Sequence, residues 1–189
     1  MDIELLRGCG KVVTYERGQV ICREGEEGHS MFLLLEGNVE VKVNSFSNNA
    51  QSVGYISKGS FFGEMSLLEK KPRTASVIAI TDQVIVLEIG EKDFAMLLEK
   101  APDIAFGILE ALNHRLNKML NRIWETDKKF SFQYRKDATY NTIQKLDMEG
   151  FIKVAKASPE NVWTLLKYLS ASLELLNGKY VTDAEKESV

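Results

Sequence analysis

The chain is poor in the residues and motifs on which many enzymes and metalloproteins depend. It has two cysteines and two histidines in 189 residues, and neither pair has a metal-binding or redox spacing. The GxSxG, HExxH and GxxxxGK(S/T) motifs are absent, and the acidic residues 24, 26 and 27 lack the spacing of a calcium loop. We therefore expect no enzyme activity and no metal, with Cys9 and Cys22 as free thiols in a reducing compartment.

Strong charge and long apolar runs are also missing. Against 24 Lys and Arg stand 27 Asp and Glu, and a net charge of −3 argues against a strongly basic nucleic-acid binder. No apolar run approaches the roughly 20 residues that span a bilayer, and no signal-peptide pattern opens the chain. We therefore expect a cytoplasmic protein with no membrane contact.

The first half of the chain contains about eight short apolar or β-branched runs separated by glycine turns. Their spacing of roughly 8–12 residues favours a jelly roll or a sandwich. The turn glycines are expected at positive φ, and the polar residues 45–51 are expected to form a mobile hairpin tip. These turn glycines are Gly18, Gly25, Gly28 and Gly37.

One stretch in the middle of the chain combines a sharp turn, a short helix and the start of a strand. Gly63 follows two aromatic residues, and residues 64–68 then have the composition of one helical turn. Free N–H groups at the start of such a turn attract anions. Arg73 adds a planar fork of donors suited to phosphate, whereas the carboxylate of Glu64 suits hydroxyl groups. Together they predict a sugar-phosphate site; the alternative is an ordinary surface ion pair.

This stretch resembles the phosphate-binding cassette of the cyclic-nucleotide-binding domain family, whose pattern is met by Phe62-Gly63-Glu64 and Arg73-Thr74-Ala75. The resemblance implies that the ligand is cyclic AMP or cyclic GMP, with both left open. It also implies that Glu64 takes the ribose 2′-hydroxyl and Arg73 the cyclic phosphate. The binding residues that it implies are Phe62, Gly63, Glu64, Met65, Ser66, Arg73, Thr74 and Ala75.

The resemblance covers about residues 5–125 and implies a mainly β fold with helices. A jelly-roll-like β-roll with short flanking helices is expected over residues 1–100, including a lead-in helix at residues 1–8. A long helix of the dimerisation type follows at residues 101–127. A small helical C-terminal region then occupies residues 128–189.

The long helix carries apolar residues at alternating spacings of four and three, which is a heptad seam. We interpret the seam as a homodimer contact through residues 105–123; the alternative is one apolar face that packs on the roll. The resemblance implies that this helix also approaches the base, with Met119, Leu120 and Arg122 as candidate caps. The seam consists of Ala105, Leu109, Leu112, Leu116, Met119 and Ile123.

The last third resembles the family less. Residues 128–136 are basic and aromatic and suit a strand, a connector or a short helix, while residues 137–149 are predicted to be helical. Ser158 and Pro159 then have the form of a helix start. Residues 158–169 are slightly similar to the recognition helix of bacterial relatives that bind DNA. From residue 125 onward, however, ten basic and ten acidic residues cancel, so DNA binding is not favoured.

Three functions are therefore compatible with the sequence. The first is a cyclic-nucleotide sensor that passes a helix movement to its C-terminal region or to a partner. The second is a transcription regulator of the cyclic AMP receptor type with an atypical helix-turn-helix. The third is a scaffold whose pocket has lost its ligand, against which the presence of both Glu64 and Arg73 argues.

Overall fold

A computed structural model describes residues 8–186 of the chain, with all side chains in that range except those of residue 132 and residues 177–186. The chain divides into two compact units between Ala101 and Pro102. The lead-in helix predicted for residues 1–8 falls, apart from Gly8, outside the described range. None of the helices within that range combines the length and apolar character that crossing a bilayer requires.

The first unit contains eight strands and two helices within its described residues. Its strands are β1 (Lys11–Glu16), β2 (Val20–Cys22), β3 (Ser30–Glu36), β4 (Asn38–Val43), β5 (Gln51–Ser57), β6 (Phe61–Phe62), β7 (Ser76–Ala79) and β8 (Gln83–Gly90). Its helices are α1 (Glu64–Glu69), between β6 and β7, and α2 (Glu91–Lys100), after β8. The strands follow the apolar runs of the sequence closely, because each run supplies a buried face.

These strands form two four-stranded antiparallel sheets, in the orders β1-β8-β3-β6 and β2-β7-β4-β5. Side chains from both sheets meet in one core, to which Phe32, Val39 and Val86 belong. Phe62 stacks on Phe32 with ring centroids 5.1 Å apart, so the core anchors β6 and the turn that follows it. The jelly-roll-like fold expected from the sequence is confirmed.

The turn glycines meet the prediction of positive φ at three positions. Gly18, Gly25 and Gly37 have φ values of 87°, 83° and 84°, a region that costs glycine no steric penalty. Gly28 does not have positive φ, so the prediction for this residue is wrong. Gly28 is needed for a different reason, the close approach of side chains from the cassette, which is described below.

The second unit is helical throughout its described residues. Its helices are α3 (Pro102–Thr126), α4 (Lys128–Tyr134), α5 (Ala138–Gln144), α6 (Met148–Ala157) and α7 (Pro159–Lys186). Residues 128–134, for which the sequence left three interpretations open, are therefore a helix. The start of α7 at Pro159 agrees with the predicted Ser158-Pro159 helix start.

Residues 137–149, which were predicted to be helical, lie largely in two helices, because the chain breaks between α5 and α6. The cause is Asp147, whose carboxylate accepts a hydrogen bond from the Gly150 N–H at 2.8 Å and caps a new helix. Asp127 and Asp137 cap α4 and α5 in the same way, accepting from residues 130 and 140 at 2.9 Å. Three aspartates ten residues apart therefore divide this region into short helices.

The heptad seam of α3 lies largely inside a single chain. Five of its six residues are buried, and Leu116 has no exposed surface, whereas Met119 is half-buried. Helix α3 packs against α4, α6 and α7 of the same unit, and Phe106 contacts Phe151 of α6 with ring centroids 5.2 Å apart. A homodimer through residues 105–123 stays a prediction, and the buried residues of the seam are already covered within one chain.

Candidate ligand-binding site

The predicted cassette is a sharp turn followed by a short, buried helix. Gly63 has φ 74° and is the N-cap residue of α1, and as a glycine it makes no side-chain cap hydrogen bond. The first helical residue, Glu64, is only 3% exposed, and Ser66 is buried beside it. The turn therefore holds a carboxylate and a set of backbone donors at one place in the roll.

Arg73 reaches the same place from the segment between α1 and β7. Its side chain is buried, and its Nη1 donates a hydrogen bond to the carbonyl oxygen of Gly63 at 2.7 Å. Nη2 donates to Oγ of Ser30 at 3.3 Å, and the guanidinium lies 5.3 Å from the ring centroid of Phe32. A buried cation thus donates to two neutral oxygens, which an anion of better geometry can replace.

Ser30 connects this guanidinium to a carboxylate on another strand. Its Oγ accepts from Arg73 and itself donates to Oε1 of Glu88 at 2.8 Å. Ser30 lies at the start of β3 and Glu88 on β8, two strands that pair in the sheet. The relay fixes the serine hydroxyl as an acceptor for the guanidinium, because its proton is used toward Glu88.

Two glycines leave the room that the Arg73 side chain occupies. A Cβ atom at Gly28 would lie 2.7 Å from both Cζ and Nε of Arg73, and 2.5 Å from Cβ of Ser66. A Cβ atom at Gly63 would lie 2.6 Å from Nη1 of Arg73. Both positions exclude a side chain, which explains Gly28 without any special backbone conformation.

The backbone of Arg73 is held by the loop between β2 and β3. Its N–H donates to the carbonyl oxygen of Glu26 at 2.8 Å, and its carbonyl oxygen accepts from the N–H of Gly25 at 2.8 Å. One residue earlier, Pro72 forms an isolated β-bridge with Glu27. The position of the guanidinium therefore depends on the placement of this loop.

Burial lowers the pKa of the Arg73 guanidinium, and the nearby Cys22, Glu88 and Glu64 act in the opposite direction. Arginine stays charged in proteins, so the lowered pKa reflects the cost of burying the charge. Burial also raises the pKa of the Cys22 thiol, against which the positive charge of Arg73 acts. Cys22 is therefore a neutral thiol at pH 7.

The other predicted binding residues take different positions. Phe62 belongs to the core, Met65 and Ala75 are half-buried, and Thr74 is exposed. The sequence does not mark Gly28, Ser30 or Glu88 as site residues; the spacing Gly25-x-x-Gly28 is the one signal for this loop, and by itself it indicates only a turn. No group of three or more His, Cys, Asp or Glu suited to a metal occurs in residues 8–186.

The predicted base caps lie on α3 in the second unit. Met119 is half-buried, Leu120 has no exposed surface and Arg122 is exposed. The carbonyl oxygen of Leu120 also accepts a hydrogen bond from the Ser131 hydroxyl at 3.1 Å. The capping role of these three residues stays a prediction.

Comparison with known proteins places the first unit in a family. Residues 12–101 match the family model of the cyclic nucleotide-binding domain. A cyclic nucleotide-gated potassium channel of Mesorhizobium japonicum is 40% identical over 103 residues, which are 54% of this chain and 26% of the channel. A cAMP-dependent protein kinase regulatory subunit of Colletotrichum orbiculare is 42% identical over 84 residues, which are 44% of this chain and 20% of that protein.

The chain thus spans about a quarter, or less, of the length of these curated relatives. Among solved structures, a transcriptional regulator of Thermotoga maritima has a similar fold, with a TM-score of 0.56 and 21% identity. That similarity covers 68% of this chain and 100% of the regulator. The cassette motif, the roll and the family match over residues 12–101 all agree, so the first unit of the chain contains a cyclic nucleotide-binding domain.

Proposed function

We propose that the protein is a cyclic-nucleotide sensor that binds cyclic AMP or cyclic GMP in the cassette of its first unit. The observation that supports this best is the buried guanidinium of Arg73, which donates to the neutral oxygens of Gly63 and Ser30. Burying a charge is costly unless it is well paired. A cyclic phosphate would supply the paired charge that these oxygens lack, so the site favours an anion.

The remaining cassette groups suit the rest of the ligand. The carboxylate of Glu64 is buried at the start of α1, where it can accept a hydrogen bond from a ribose 2′-hydroxyl. The backbone N–H groups of that turn and the Thr74 hydroxyl then complete the contacts to the phosphate. The names of the related potassium channel and kinase regulatory subunit refer to cyclic nucleotides and to cAMP, which agrees with this ligand class.

The output of the sensor is a change in helix position rather than a reaction. The ligand draws the cassette toward the hinge at residues 91–102, and α3 then moves and offers Met119, Leu120 or Arg122 to the base. The ligand shifts this equilibrium only as far as it prefers one helix position over the other. The recipient is the C-terminal helical unit or a partner in the cytoplasm, with a homodimer as one form of that output.

Calorimetric titration with cyclic AMP and cyclic GMP, on protein freed of carried-over ligand, tests the ligand. We expect micromolar binding of at least one nucleotide and a loss of about 100-fold or more in Arg73→Ala, because a charged hydrogen-bonding partner is removed. Arg17→Ala is the matched control, since Arg17 is an exposed arginine of the same unit that pairs with Asp82. Equal affinity in the parent and in Arg73→Ala would refute the proposal.

The transcription-regulator alternative receives less support. Helices α6 and α7 are separated by the single residue Ser158, whereas a helix-turn-helix uses a turn of three to four residues. A mobility-shift assay on genomic fragments at low salt, with and without nucleotide, tests the alternative, and a ligand-dependent shift would restore it.

A further inference from the structure

The tip of the β4–β5 hairpin is attached to the loop that holds Arg73. Its polar sequence suggested a mobile tip, yet Asn44 donates its backbone N–H to Oε2 of Glu24 at 2.6 Å. The Arg23 guanidinium lies over the ring of Phe46, 3.8 Å from its centroid. We call these four residues (Arg23, Glu24, Asn44 and Phe46) the hairpin clasp.

Several features show that the clasp is a built contact. Asn44 has φ 54°, a left-handed conformation that asparagine tolerates better than most residues. Its carbonyl oxygen accepts from both the N–H and the hydroxyl of Ser47, so the tip turns at this residue. Phe46 is 60% exposed, and one of its faces is used by Arg23. The one aromatic residue of the tip therefore contacts the loop.

The loop between β2 and β3, to which Glu24 belongs, also contacts the segment that carries Arg73. The N–H of Glu24 donates to Oγ of the buried Ser76 at 3.0 Å. The next two residues, Gly25 and Glu26, exchange backbone hydrogen bonds with Arg73 at 2.8 Å each. A three-residue segment therefore connects the hairpin tip directly to the backbone of the arginine.

We infer that the hairpin clasp is a positioning device for Arg73 and thereby sets the affinity of the ligand site. The inference rests on the proposed function. Without the clasp, the loop between β2 and β3 keeps only its hydrogen bonds to Ser76 and Arg73 and separates from Arg73 more often, so the guanidinium is held in place in fewer molecules. The apparent affinity then falls by the fraction of molecules in which the loop is in place.

Variants that keep or remove one contact at a time test the clasp. Glu24→Ala removes the acceptor for Asn44 N–H, while Glu24→Gln keeps a side-chain oxygen. Phe46→Leu removes the aromatic face, while Phe46→Tyr keeps it. Asp82→Ala is the control, because Asp82 is an exposed carboxylate of this unit that also accepts a hydrogen bond, from Arg17 at 2.9 Å.

Two measurements are made on the full chain: calorimetric affinity for the nucleotide that the parent binds, and amide hydrogen exchange. Glu24→Ala and Phe46→Leu are expected to weaken binding about fivefold and to accelerate exchange at Gly25 and Arg73 by a similar factor. Exchange at Val86 in β8 should not change, which separates local release of the loop from general loss of stability. Glu24→Gln, Phe46→Tyr and Asp82→Ala should match the parent.

The outcomes separate this inference from the proposed function. If the parent binds no cyclic nucleotide, the proposed function is wrong, and unchanged exchange at Gly25 and Arg73 in the clasp variants would show that the clasp is wrong as well. If the parent binds but Glu24→Ala and Phe46→Leu bind equally well, the positioning role is overturned. Faster exchange without weaker binding overturns it too, because the loop would then move without affecting the site.

Discussion

Gly28 and Arg73 are accommodated together: a Cβ atom at residue 28 would lie 2.7 Å from Cζ of the arginine side chain. The guanidinium therefore occupies space that the absence of a side chain leaves free. The same Cβ would press on Cβ of Ser66 in α1, so one glycine lets the loop, the cassette helix and the arginine meet. The site therefore depends on the missing side chain at Gly28 as well as on its polar groups.

Gly28→Ala is accordingly expected to damage the site. The added methyl group must displace Arg73 or α1, which we expect to lower the free energy of unfolding of the first unit by about 1–3 kcal/mol and ligand affinity by about tenfold or more. Calorimetric titration and thermal unfolding measure the two effects. Gly54→Ala is the control, because a Cβ there meets no atom within 4 Å and no positive φ is involved. Equal effects of the two substitutions would contradict this account.

The relay from Arg73 through Ser30 to Glu88 predicts a cost in stability. Ser30→Ala removes an acceptor from a buried guanidinium and a donor from a carboxylate at once. We expect the free energy of unfolding of the first unit to fall by about 1–2 kcal/mol, measured by differential scanning calorimetry. Ser57→Ala, at an exposed position on β5, should have no effect, and a similar loss there would count against the relay.

The buried seam of α3 predicts a large effect from one truncation. Leu116→Ala should lower the free energy of unfolding of the second unit by about 2–5 kcal/mol, because a fully buried leucine leaves a cavity. Both tryptophans of the chain, Trp124 and Trp163, lie in this unit, so tryptophan fluorescence in urea follows its unfolding. Leu175→Ala is the control, since Leu175 is 60% exposed. A tolerated Leu116→Ala would contradict this account of how the seam packs.

The tyrosines of the second unit predict a loss of stability at high pH. Burial, followed by the neighbouring Tyr134 and the hydrogen bond to Asp137, raises the pKa of Tyr168 above its usual value of 10. A group with a raised pKa contributes stability that is complete below the unfolded-state pKa and is lost as the pH rises further, because the unfolded chain releases the proton first.

We therefore expect the urea midpoint of tryptophan fluorescence to fall as the pH rises above about 10. Tyr168→Phe should make this fall shallower, although not absent, because burial raises the pKa of Tyr140 as well. Tyr55→Phe is the control, since Tyr55 lies in the first unit and is 69% exposed. A pH dependence that Tyr168→Phe does not alter would exclude this role of Tyr168.

The sequence by itself was sufficient for the roll and for the chemical type of the site. Alternating and β-branched runs predict strands because each strand must bury one face, and the apolar runs match the observed strands. The pair formed by Gly63-Glu64 and Arg73 is a local signal for an anion cradle, since the turn and the short helix need only neighbouring residues. The start of α6 was not predicted, because an aspartate such as Asp147 caps a helix only where the chain breaks, and the local pattern does not mark that break.

The tertiary structure decided which distant residues serve the cassette. Ser30 and Glu88 join Arg73 through hydrogen bonds that span 43 and 58 residues of sequence, and no local pattern marks them. Gly28 fits a turn pattern in the sequence, yet a glycine is needed there because the Arg73 side chain occupies the space of a Cβ atom. The heptad seam likewise left its partner open, because an apolar stripe specifies that it must be covered but not by what. The sequence therefore predicts the chemical type of the site, whereas long-range packing and excluded volume determine which distant residues support it.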